Sequence, residues 1–424
     1  MTDQARSIAE TALAAARRAA DPARAIAAAL RSTPIGPVDL LATGKAGATT
    51  AEAALHALGD RVARALVIAP EPTLDRLPEH PALQALPGDH PLPTQRSLAA
   101  AVAVDAFLSG ATNPILALLS GGGSAMIARP IPPLTLDHLR DLTDHLMRAG
   151  LDIHALNAVR AHTDHTKAGR LALRTRQPIR VLVLSDVIGD RLESVASGPF
   201  YGSPHGAARA SRILHLAAAP TAAELATHFD RSPDPPIHPT DPRLAHVSHE
   251  IIASNRTVTN AIALTLRNLG FTPTVEEDIT SQAHQAGERL ATELLDEASP
   301  RTPRVVVMGG EPTVSGIRPG NLGGPMQEAA VAAALKLRDS THSPSDWCVI
   351  AYATDGVDGP TPAAGASISA SDLRTRPTLA SDLRAALDAH NTHPVLDTAG
   401  LAIAGAPTGA NLNDVLIAVT AASI

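Results

Sequence analysis

The stretch Ile115-Leu116-Ala117-Leu118-Leu119-Ser120-Gly121-Gly122-Gly123-Ser124 joins a short apolar run to a turn of small residues. An apolar run bounded by glycine is typical of a buried strand. The turn has no bulky side chains, so its backbone N–H groups are open to a phosphate or carboxylate. A tight turn that needs positive φ explains the glycines equally well, and the motif alone leaves both interpretations open.

Strand candidates recur on both sides of this stretch, and helical patterns follow several of them. In the first half they are Val38–Ala42, Ala65–Ala69 and Val181–Leu184. In the second half the strand candidates are Val305–Met308, Val349–Ala353 and Val415–Thr420, and the helix candidates are Arg256–Asn268, Gln282–Leu295 and Gln327–Leu337. The alternation predicts an α/β protein with a parallel sheet in its first half.

The length of 424 residues favours two domains. Between Pro204 and His246 the sequence becomes rich in Pro, His and Asp, and Ser232-Pro233-Asp234-Pro235-Pro236 interrupts any regular element. We therefore predict an N-terminal domain over residues 1–235 and a C-terminal domain over residues 236–424.

Composition argues against several classes of protein. Aromatic residues make up only 2% of the chain and the net charge is -7, which disfavours nucleic-acid binding. The single cysteine, Cys348, excludes an intrachain disulfide, and its apolar neighbours predict a buried thiol. The N-terminus has no apolar leader region, and no stretch has the roughly 18 apolar residues of a membrane span. The expected compartment is the cytoplasm, with no membrane partner.

Charged residues follow the strand candidates of the first half. Lys45 stands in Ala42–Gly47 after the first strand, where its ammonium could neutralise an anion or simply be solvated. Asp186 and Asp190 follow Val181–Leu184, and they could hold magnesium, accept a substrate proton or cap the next helix. Neither Ala42–Gly47 nor Ser120–Ser124 matches G-x-G-x-x-G or a Walker A sequence. The sequence therefore lacks the motifs of a dinucleotide-binding protein and of a P-loop protein.

The second half repeats the order of strand, glycine and acid. Glu311 follows Met308-Gly309-Gly310, and Asp355 and Asp358 lie in Thr354–Gly359. Asn157, Arg160 and Lys167 lie on or beside a predicted helix as further candidates for binding a phosphate, although helix surfaces often carry such residues without a function. Among the scattered histidines, His90 in Gly88–Pro93 is the one we single out.

Taken in order, these turns resemble the glycerate 2-kinase family, whose C-terminal part is known as the MOFRL domain. The resemblance runs from Gly44-Lys45-Ala46 to Pro407–Asp414 and spans nearly the whole chain. It implies a Rossmann-like N-terminal domain with a parallel sheet and a smaller α/β C-terminal domain of MOFRL type. It also implies ATP-dependent phosphorylation of the 2-hydroxyl of D-glycerate with Mg²⁺.

The resemblance implies roles for individual residues. Lys45 would stabilise the transferred phosphoryl group, and Asp186 and Asp190 would act as base or as magnesium ligands, with the assignment between them open. The predicted substrate and phosphate ligands are Ser120, Gly121, Gly122, Gly123, Ser124, Asn157, Arg160, Lys167, Asn255, Glu311, Asp355, Asp358, Asn411, Asn413 and Asp414. The expected partners are ATP and a small hydroxy acid, and a homodimer is among the expected assemblies.

The chain departs from the family pattern in its C-terminal half. The family usually reads Gly-Gly-Arg-Asn-Gln-Glu where this chain has Gly323-Gly324-Pro325-Met326-Gln327-Glu328. Pro362 stands where the family commonly has Asp, and Ala168 replaces a usual glycine. Arginine offers a planar fork for carboxylate or phosphate, which proline cannot replace. Three hypotheses follow: a glycerate 2-kinase that tolerates these changes, a kinase of the same fold for another hydroxylated metabolite, and a non-catalytic binding protein. A reductase ranks below them.

Overall fold

The computed structural model describes residues 3–31, 36–219, 222–232, 235–295 and 303–421. The strands are β1 Val38–Thr43, β2 Val62–Ala69, β3 Leu83–Pro87, β4 Ile115–Leu119, β5 Ile179–Leu184, β6 Val247–Ala253, β7 Thr274–Ile279, β8 Val305–Gly310, β9 Trp347–Ala353, β10 Ala363–Ser369, β11 Ala402–Ala404 and β12 Asp414–Thr420. The helices are α1 Gln4–Ala19, α2 Pro22–Arg31, α3 Gly47–Leu58, α4 Glu71–Leu74, α5 Gln95–Ser109, α6 Gly123–Met126, α7 Leu136–Arg148, α8 Ile153–Thr163, α9 Ala207–Leu216, α10 Ala222–Arg231, α11 Asn255–Asn268, α12 Ala283–Leu295, α13 Pro325–Asp339, α14 Ala370–Thr375, α15 Leu379–Asp388 and α16 Thr392–Thr398.

The chain forms two compact units. The N-terminal unit comprises residues 22–252, and the C-terminal unit comprises residues 1–21 together with 253–424. The first helix, α1, packs on α11 and β9 of the C-terminal unit through buried alanines and Ile8. Residue 236, where the sequence placed the start of the second domain, lies inside the N-terminal unit, and Pro233 and Asp234 of the predicted interruption lie outside the described residues.

The N-terminal unit is built on a sheet with the strand order β3-β2-β1-β4-β5-β6. The pairs β3/β2, β2/β1, β1/β4 and β4/β5 run parallel, as the sequence predicted. Strands β1 and β4 are buried along their whole length, which explains why they are continuous apolar runs. Because Thr43 pairs with Leu119, the turns that follow β1 and β4 emerge side by side at the same edge of the sheet.

The sheet of the C-terminal unit has the order β11-β10-β9-β12-β8-β7. Here β12 runs antiparallel to both β8 and β9, and only β7/β8 is parallel among the pairs of this sheet in the described residues. Asp414, at the start of β12, therefore pairs with Gly310 and Ala353 at the ends of β8 and β9. Helices α12 and α13 pack on the sheet mainly through alanine and leucine, and Trp347 is the aromatic side chain among the buried residues of this core cluster in the described part of the chain.

Candidate active site

The glycine turn, Ser120–Ser124, lies against the turn that carries Lys45. Lys45 N donates to Gly121 O at 2.8 Å, and Ser120 Oγ accepts from Ala46 N at 3.0 Å. A Cβ on Gly44, which has φ +114°, would lie 2.3 Å from Ser120 Oγ, so only glycine fits there. The two turns thus form one rigid platform at the edge of the sheet.

Two cations and a histidine surround this platform. A Cβ on Gly122 would lie 3.0 Å from Lys45 Cγ and 3.1 Å from His90 Cδ2, so both side chains cover the turn. Burial, together with the charges of Lys45 and Arg160, lowers the pKa of His90 to about 4. The imidazole is therefore neutral at pH 7, and the neighbouring charges of Lys45 and Arg160 favour an anion at the glycine turn.

Arg160, on α8, is half-buried, and its guanidinium makes no hydrogen bond or ion pair to a side chain or carbonyl of the described residues. Burial lowers the pKa of its guanidinium, while the charge of Asp164 opposes that shift. A partly desolvated cation without a bound carboxylate is a site that a ligand carboxylate or phosphate can complete. This geometry supports the sequence prediction for Arg160.

Asp186 lies against the other side of the glycine turn. A Cβ on Gly121 would lie 1.7 Å from Asp186 Oδ2, so glycine is required for the carboxylate to approach the backbone this closely. Burial raises the pKa of Asp186, and the charge of Lys45 opposes the rise. A carboxyl with a raised pKa beside a lysine is suited to accept or hold a proton.

Asp190 is placed differently from Asp186. It has φ +53°, and its N–H donates to Val187 O at 3.0 Å to close the turn. Its half-buried carboxylate makes no hydrogen bond or ion pair to a described residue, Asp186 and Lys45 included. The structure thus brings Asp186, but not Asp190, into contact with the Lys45 platform.

Lys167 differs from its sequence prediction as a phosphate ligand. Its side chain is only 3% exposed, and Nζ donates to Ser124 O at 2.7 Å and to Ile127 O at 2.5 Å, with Asp164 Oδ2 at 3.9 Å. Burial lowers the pKa of Lys167 to about 8. Because its buried ammonium donates to two backbone carbonyls, Lys167 holds the backbone at the end of the glycine turn and is not accessible to a phosphate.

Asn157 also turns toward the protein. Ser124 Oγ lies 2.8 Å from Ser197 Oγ, which in turn donates to Asn157 Oδ1 at 2.7 Å. Ser197 belongs to a left-handed turn, in which Ala196, Ser197 and Gly198 have φ of +51°, +60° and +62°. Asn157 therefore reaches the glycine turn through Ser197 and does not face it directly.

The C-terminal unit gathers four carboxylates, Glu311, Asp355, Asp358 and Asp414, which we call the acidic cluster. Burial raises the pKa of Asp414 well above its ordinary value, and the charges of Asp358, Asp355 and Glu311 raise it further. The antiparallel register explains the grouping, because it sets the start of β12 beside the ends of β8 and β9. The mutual repulsion of these carboxylates favours the binding of a proton by Asp414.

Asp358, another of the predicted ligands, also bonds to the protein. Its Oδ1 accepts from Met326 N at 2.9 Å, and its Oδ2 accepts from Gln327 N at 2.8 Å and Gln327 Nε2 at 2.9 Å. The side chain therefore caps the N-terminus of α13, where backbone N–H groups lack partners inside the helix. Asp358 is buried and holds the start of α13 beside the acidic cluster, and its role as a ligand stays a prediction.

Three asparagines frame the acidic cluster. Asn255 Nδ2 donates to Leu412 O at 3.0 Å and Asp414 O at 2.9 Å, which fixes the start of β12. Asn411 Oδ1 accepts from Asn413 N at 2.8 Å, which helps to hold Asn413 at φ +60°. Asn413 is only 3% exposed, yet neither its Oδ1 nor its Nδ2 has a partner among the described residues. Of the three, Asn413 is the side chain that a ligand would satisfy.

The departures from the family pattern occupy distinct positions. Pro325 is the first residue of α13, a position that proline tolerates, and Met326 is fully buried. Pro362 is exposed, and its carbonyl accepts from Gly405 N at 3.0 Å. Ala168 has φ +53°, a conformation that glycine adopts without strain, which explains the usual glycine there.

Sequence reasoning missed two members of the site and only noticed a third. Thr43 Oγ1, at the end of β1, is buried without a partner among the described residues, and a Cβ on Gly123 would lie 3.6 Å from it. Ser197, between Ala196 and Gly198, was given no role from the sequence. His90 was singled out without a role. The available signal was position after a strand or inside a repeated motif, which does not show what a side chain faces.

No group of three or more His, Cys, Asp or Glu side chains within the described ranges is arranged to hold a metal ion. Magnesium is commonly held by one or two carboxylates together with substrate phosphates, so the chemistry of Asp186, Asp190 and the acidic cluster still suits it. Cys348 is fully buried, as predicted, and burial raises the pKa of its thiol to about 12. No described helix combines the length and the apolar character that a membrane span needs.

Comparison with known proteins matches both halves of the chain. Residues 5–229 match a domain of unknown function, DUF4147, and residues 304–414 match the MOFRL family. Glycerate 2-kinase of Pyrococcus horikoshii is 33% identical over 80% of this chain and 78% of its own. A protein of Agrobacterium vitis that carries the name of a hydroxypyruvate reductase is 29% identical over 95% of this chain and 91% of its own. The crystal structure of glycerate kinase from Thermotoga maritima superposes with a TM-score of 0.87 at 26% identity, covering 98% of this chain and 99% of that one.

Proposed function

This chain belongs to the glycerate kinase family, and on that premise we propose that it transfers the terminal phosphoryl group of ATP to the 2-hydroxyl of D-glycerate in the presence of Mg²⁺. The observation that carries the proposal is the platform at the glycine turn. There the charges of Lys45 and Arg160 act on a neutral His90, and Asp186 lies against the same turn.

Phosphoryl transfer depends mainly on positioning and on neutralising charge. We assign Lys45 to the charge of the transferred phosphoryl group, and Arg160 to a substrate carboxylate or phosphate. The N–H groups of the glycine turn, Ser120–Ser124, bind the same anion. His90 stays neutral and adds no repulsion to the ammonium of Lys45.

Asp186 is assigned as the base that accepts the proton of the substrate hydroxyl, because its raised pKa and its place beside Lys45 suit that step. Asp190, whose carboxylate is not engaged by the protein, is assigned as a magnesium ligand. When bound, Mg²⁺ would neutralise phosphate oxygens and orient them.

In the C-terminal unit we assign Glu311, Asp355, Asp414, Asn411 and Asn413 to ligand binding. Carboxylates repel phosphate, so these acids suit either a hydroxyl donor of the substrate or a phosphate that a cation accompanies. Asp358, Lys167 and Asn255 have positioning roles.

A second candidate is a kinase of the same fold that acts on another hydroxylated metabolite. It is favoured by Pro325, which removes the cation that the family usually places at the start of α13. A reductase is not favoured, because the sequence carries no G-x-G-x-x-G turn after a strand.

The test is incubation of the purified protein with ATP, MgCl₂ and a panel of hydroxy acids that includes D-glycerate, L-glycerate and D-lactate. Product mass and ³¹P NMR report what is phosphorylated and at which hydroxyl. 2-Phosphoglycerate supports the proposal. Another phosphorylated product with no phosphoglycerate supports the second candidate, and no phosphorylated product contradicts both.

A further inference from the structure

Three polar side chains run from the glycine turn into the N-terminal unit, and their order fixes where each proton lies. Ser124 Oγ is 2.8 Å from Ser197 Oγ, and Ser197 Oγ is 2.7 Å from Asn157 Oδ1. The last hydrogen bond of this series is donated by Asn157 Nδ2 to the carbonyl oxygen of Ser194, at 3.5 Å. Asn157, Ser194 and Ser197 border a cavity of about 10 Å³, which is too small for a substrate. Of these hydrogen-bonded side chains, Ser124 is therefore the one that a ligand can contact.

The direction of the hydrogen bonds follows from the end at Ser194. A carbonyl oxygen can only accept, so the amide nitrogen of Asn157 faces Ser194 and its oxygen faces Ser197. Asn157 Oδ1 can also only accept, so the one hydroxyl proton of Ser197 is donated to Asn157. The contact between Ser124 and Ser197 then has one donor left, which is the hydroxyl of Ser124.

The backbone around this chain holds the arrangement in place. Ser197 lies at φ +60° between Ala196 and Gly198, which are also left-handed, and its carbonyl accepts from Ala168 N at 3.2 Å. Lys167 Nζ donates to Ser124 O at 2.7 Å. The main chain of Ser124 and its hydroxyl are thus fixed by separate contacts.

We propose that Ser197 and Asn157 are positioning residues that keep the Ser124 proton turned inward, so that Ser124 Oγ meets the bound ligand only as a hydrogen-bond acceptor. An acceptor oxygen repels phosphate and carboxylate oxygens and attracts a hydroxyl. Ser124 therefore receives a hydrogen bond from a hydroxyl of the hydroxy-acid substrate, and Lys45 and Arg160 receive its anionic groups. The identity of the substrate rests on the proposed function, whereas the proton direction does not.

A neutron crystal structure of the perdeuterated wild-type protein tests the proton direction without any variant. The expected map places the Ser124 deuteron on the line to Ser197 and the Ser197 deuteron on the line to Asn157. A Ser197 deuteron on the line to Ser124, or a Ser124 deuteron directed away from Ser197, overturns the proposal.

Kinetics of Ser197→Ala test the consequence for binding. Losing Ser197 frees the Ser124 proton to turn outward, so the KM for D-glycerate is expected to rise about fivefold, the size of one neutral hydrogen bond, with the KM for MgATP unchanged. Ser124→Ala is expected to give the same split. The matched control is Ser203→Ala. Ser203 is a buried serine that borders the same small cavity but is not one of the hydrogen-bonded side chains Ser124, Ser197 and Asn157.

A Ser197→Ala protein with the wild-type KM for D-glycerate overturns the proposal, whatever its KM for MgATP. A general loss of folding would instead lower kcat and the thermal midpoint without this split. If the wild-type protein does not phosphorylate D-glycerate, the proposed function fails, and the neutron map alone then decides the direction of the protons.

Discussion

In the N-terminal unit the acid at the end of a strand lies beside a lysine, whereas in the C-terminal unit the acids at the strand ends lie beside one another. Lys45 and Asp186 follow β1 and β5, which flank β4 in the parallel sheet. The charges of Glu311 and Asp355 act on Asp414 because β12 runs antiparallel to β8 and β9. The same order of strand, glycine and acid therefore yields two electrostatic environments. Sheet direction and the placement of a single cation decide between them.

Lys45→Ala is expected to have the largest effect, because it removes the cation that distinguishes the N-terminal platform. We expect kcat/KM for phosphorylation to fall about 10²- to 10³-fold, the usual size for losing one group that stabilises transition-state charge. Steady-state kinetics with ATP and D-glycerate measure this. Lys336→Ala, an exposed lysine on α13, is the matched control and should keep wild-type rates. Full activity of Lys45→Ala would remove the role assigned to Lys45.

The pair Asp186→Asn and Asp190→Asn separates the two acids that sequence could not rank. Because Asp186 contacts the glycine turn and Lys45 acts on its pKa, Asp186→Asn is expected to lower kcat about 100-fold. Asp190→Asn is expected to raise the Mg²⁺ concentration needed for half-maximal rate, with a loss of kcat below about tenfold. The reverse pattern, with Asp190 governing kcat, would exchange the two roles.

The sequence predicted the N-terminal platform well because parallel strands carry their carboxyl ends to one edge. Lys45, Ser120 and Asp186 could be placed together from their positions after β1, β4 and β5 alone. Residues that follow a strand but turn inward could not be recognised this way. Lys167 looks like any surface cation, and only its burial against Ser124 O and Ile127 O shows that it holds the backbone.

The C-terminal unit was harder to predict for two physical reasons. A strand pattern does not state the direction of the strand, so the position of Asp414 beside the ends of β8 and β9 depends on the antiparallel pairing. The capping of α13 by Asp358 joins segments far apart in sequence, and no local pattern reveals it. The same holds for α1, whose packing on α11 and β9 moves it away from the domain that its position in the chain suggested.

Asp414→Asn tests the repulsion within the acidic cluster through stability. The pKa of Asp414 is raised in the folded state, whereas the unfolded carboxyl titrates near about 4. The folded state therefore binds this proton more tightly, and its contribution to stability is present at low pH and lost as the pH rises above about 4. We expect Asp414→Asn to unfold about 2 °C above wild type at pH 7, a shift of order 1 kcal/mol, with the difference vanishing near pH 4.

Thermal unfolding at several pH values measures this difference. Asp397→Asn, an exposed aspartate on α16, serves as the control and should show no pH-dependent gain. A thermal midpoint of Asp414→Asn that lies below wild type at pH 7 would mean that the carboxylate is stabilised in the folded state, against the assignment of the cluster.

Pro325→Arg carries the smallest expected effect and restores the arginine that the family usually has at the start of α13. The new guanidinium would begin α13 next to Met326, whose N–H is bound by Asp358. If glycerate is the acceptor, its carboxylate gains a partner, and we expect its KM to fall about threefold while the KM for MgATP stays the same. Pro325→Ala is the matched control, since it removes the proline, which favours a helix start, without adding charge.

If both variants show the same KM for D-glycerate, Pro325 is a neutral variation. If the arginine raises turnover of glycerate and lowers that of another hydroxy acid in the panel, then the loss of this one cation is what set the acceptor preference of the chain.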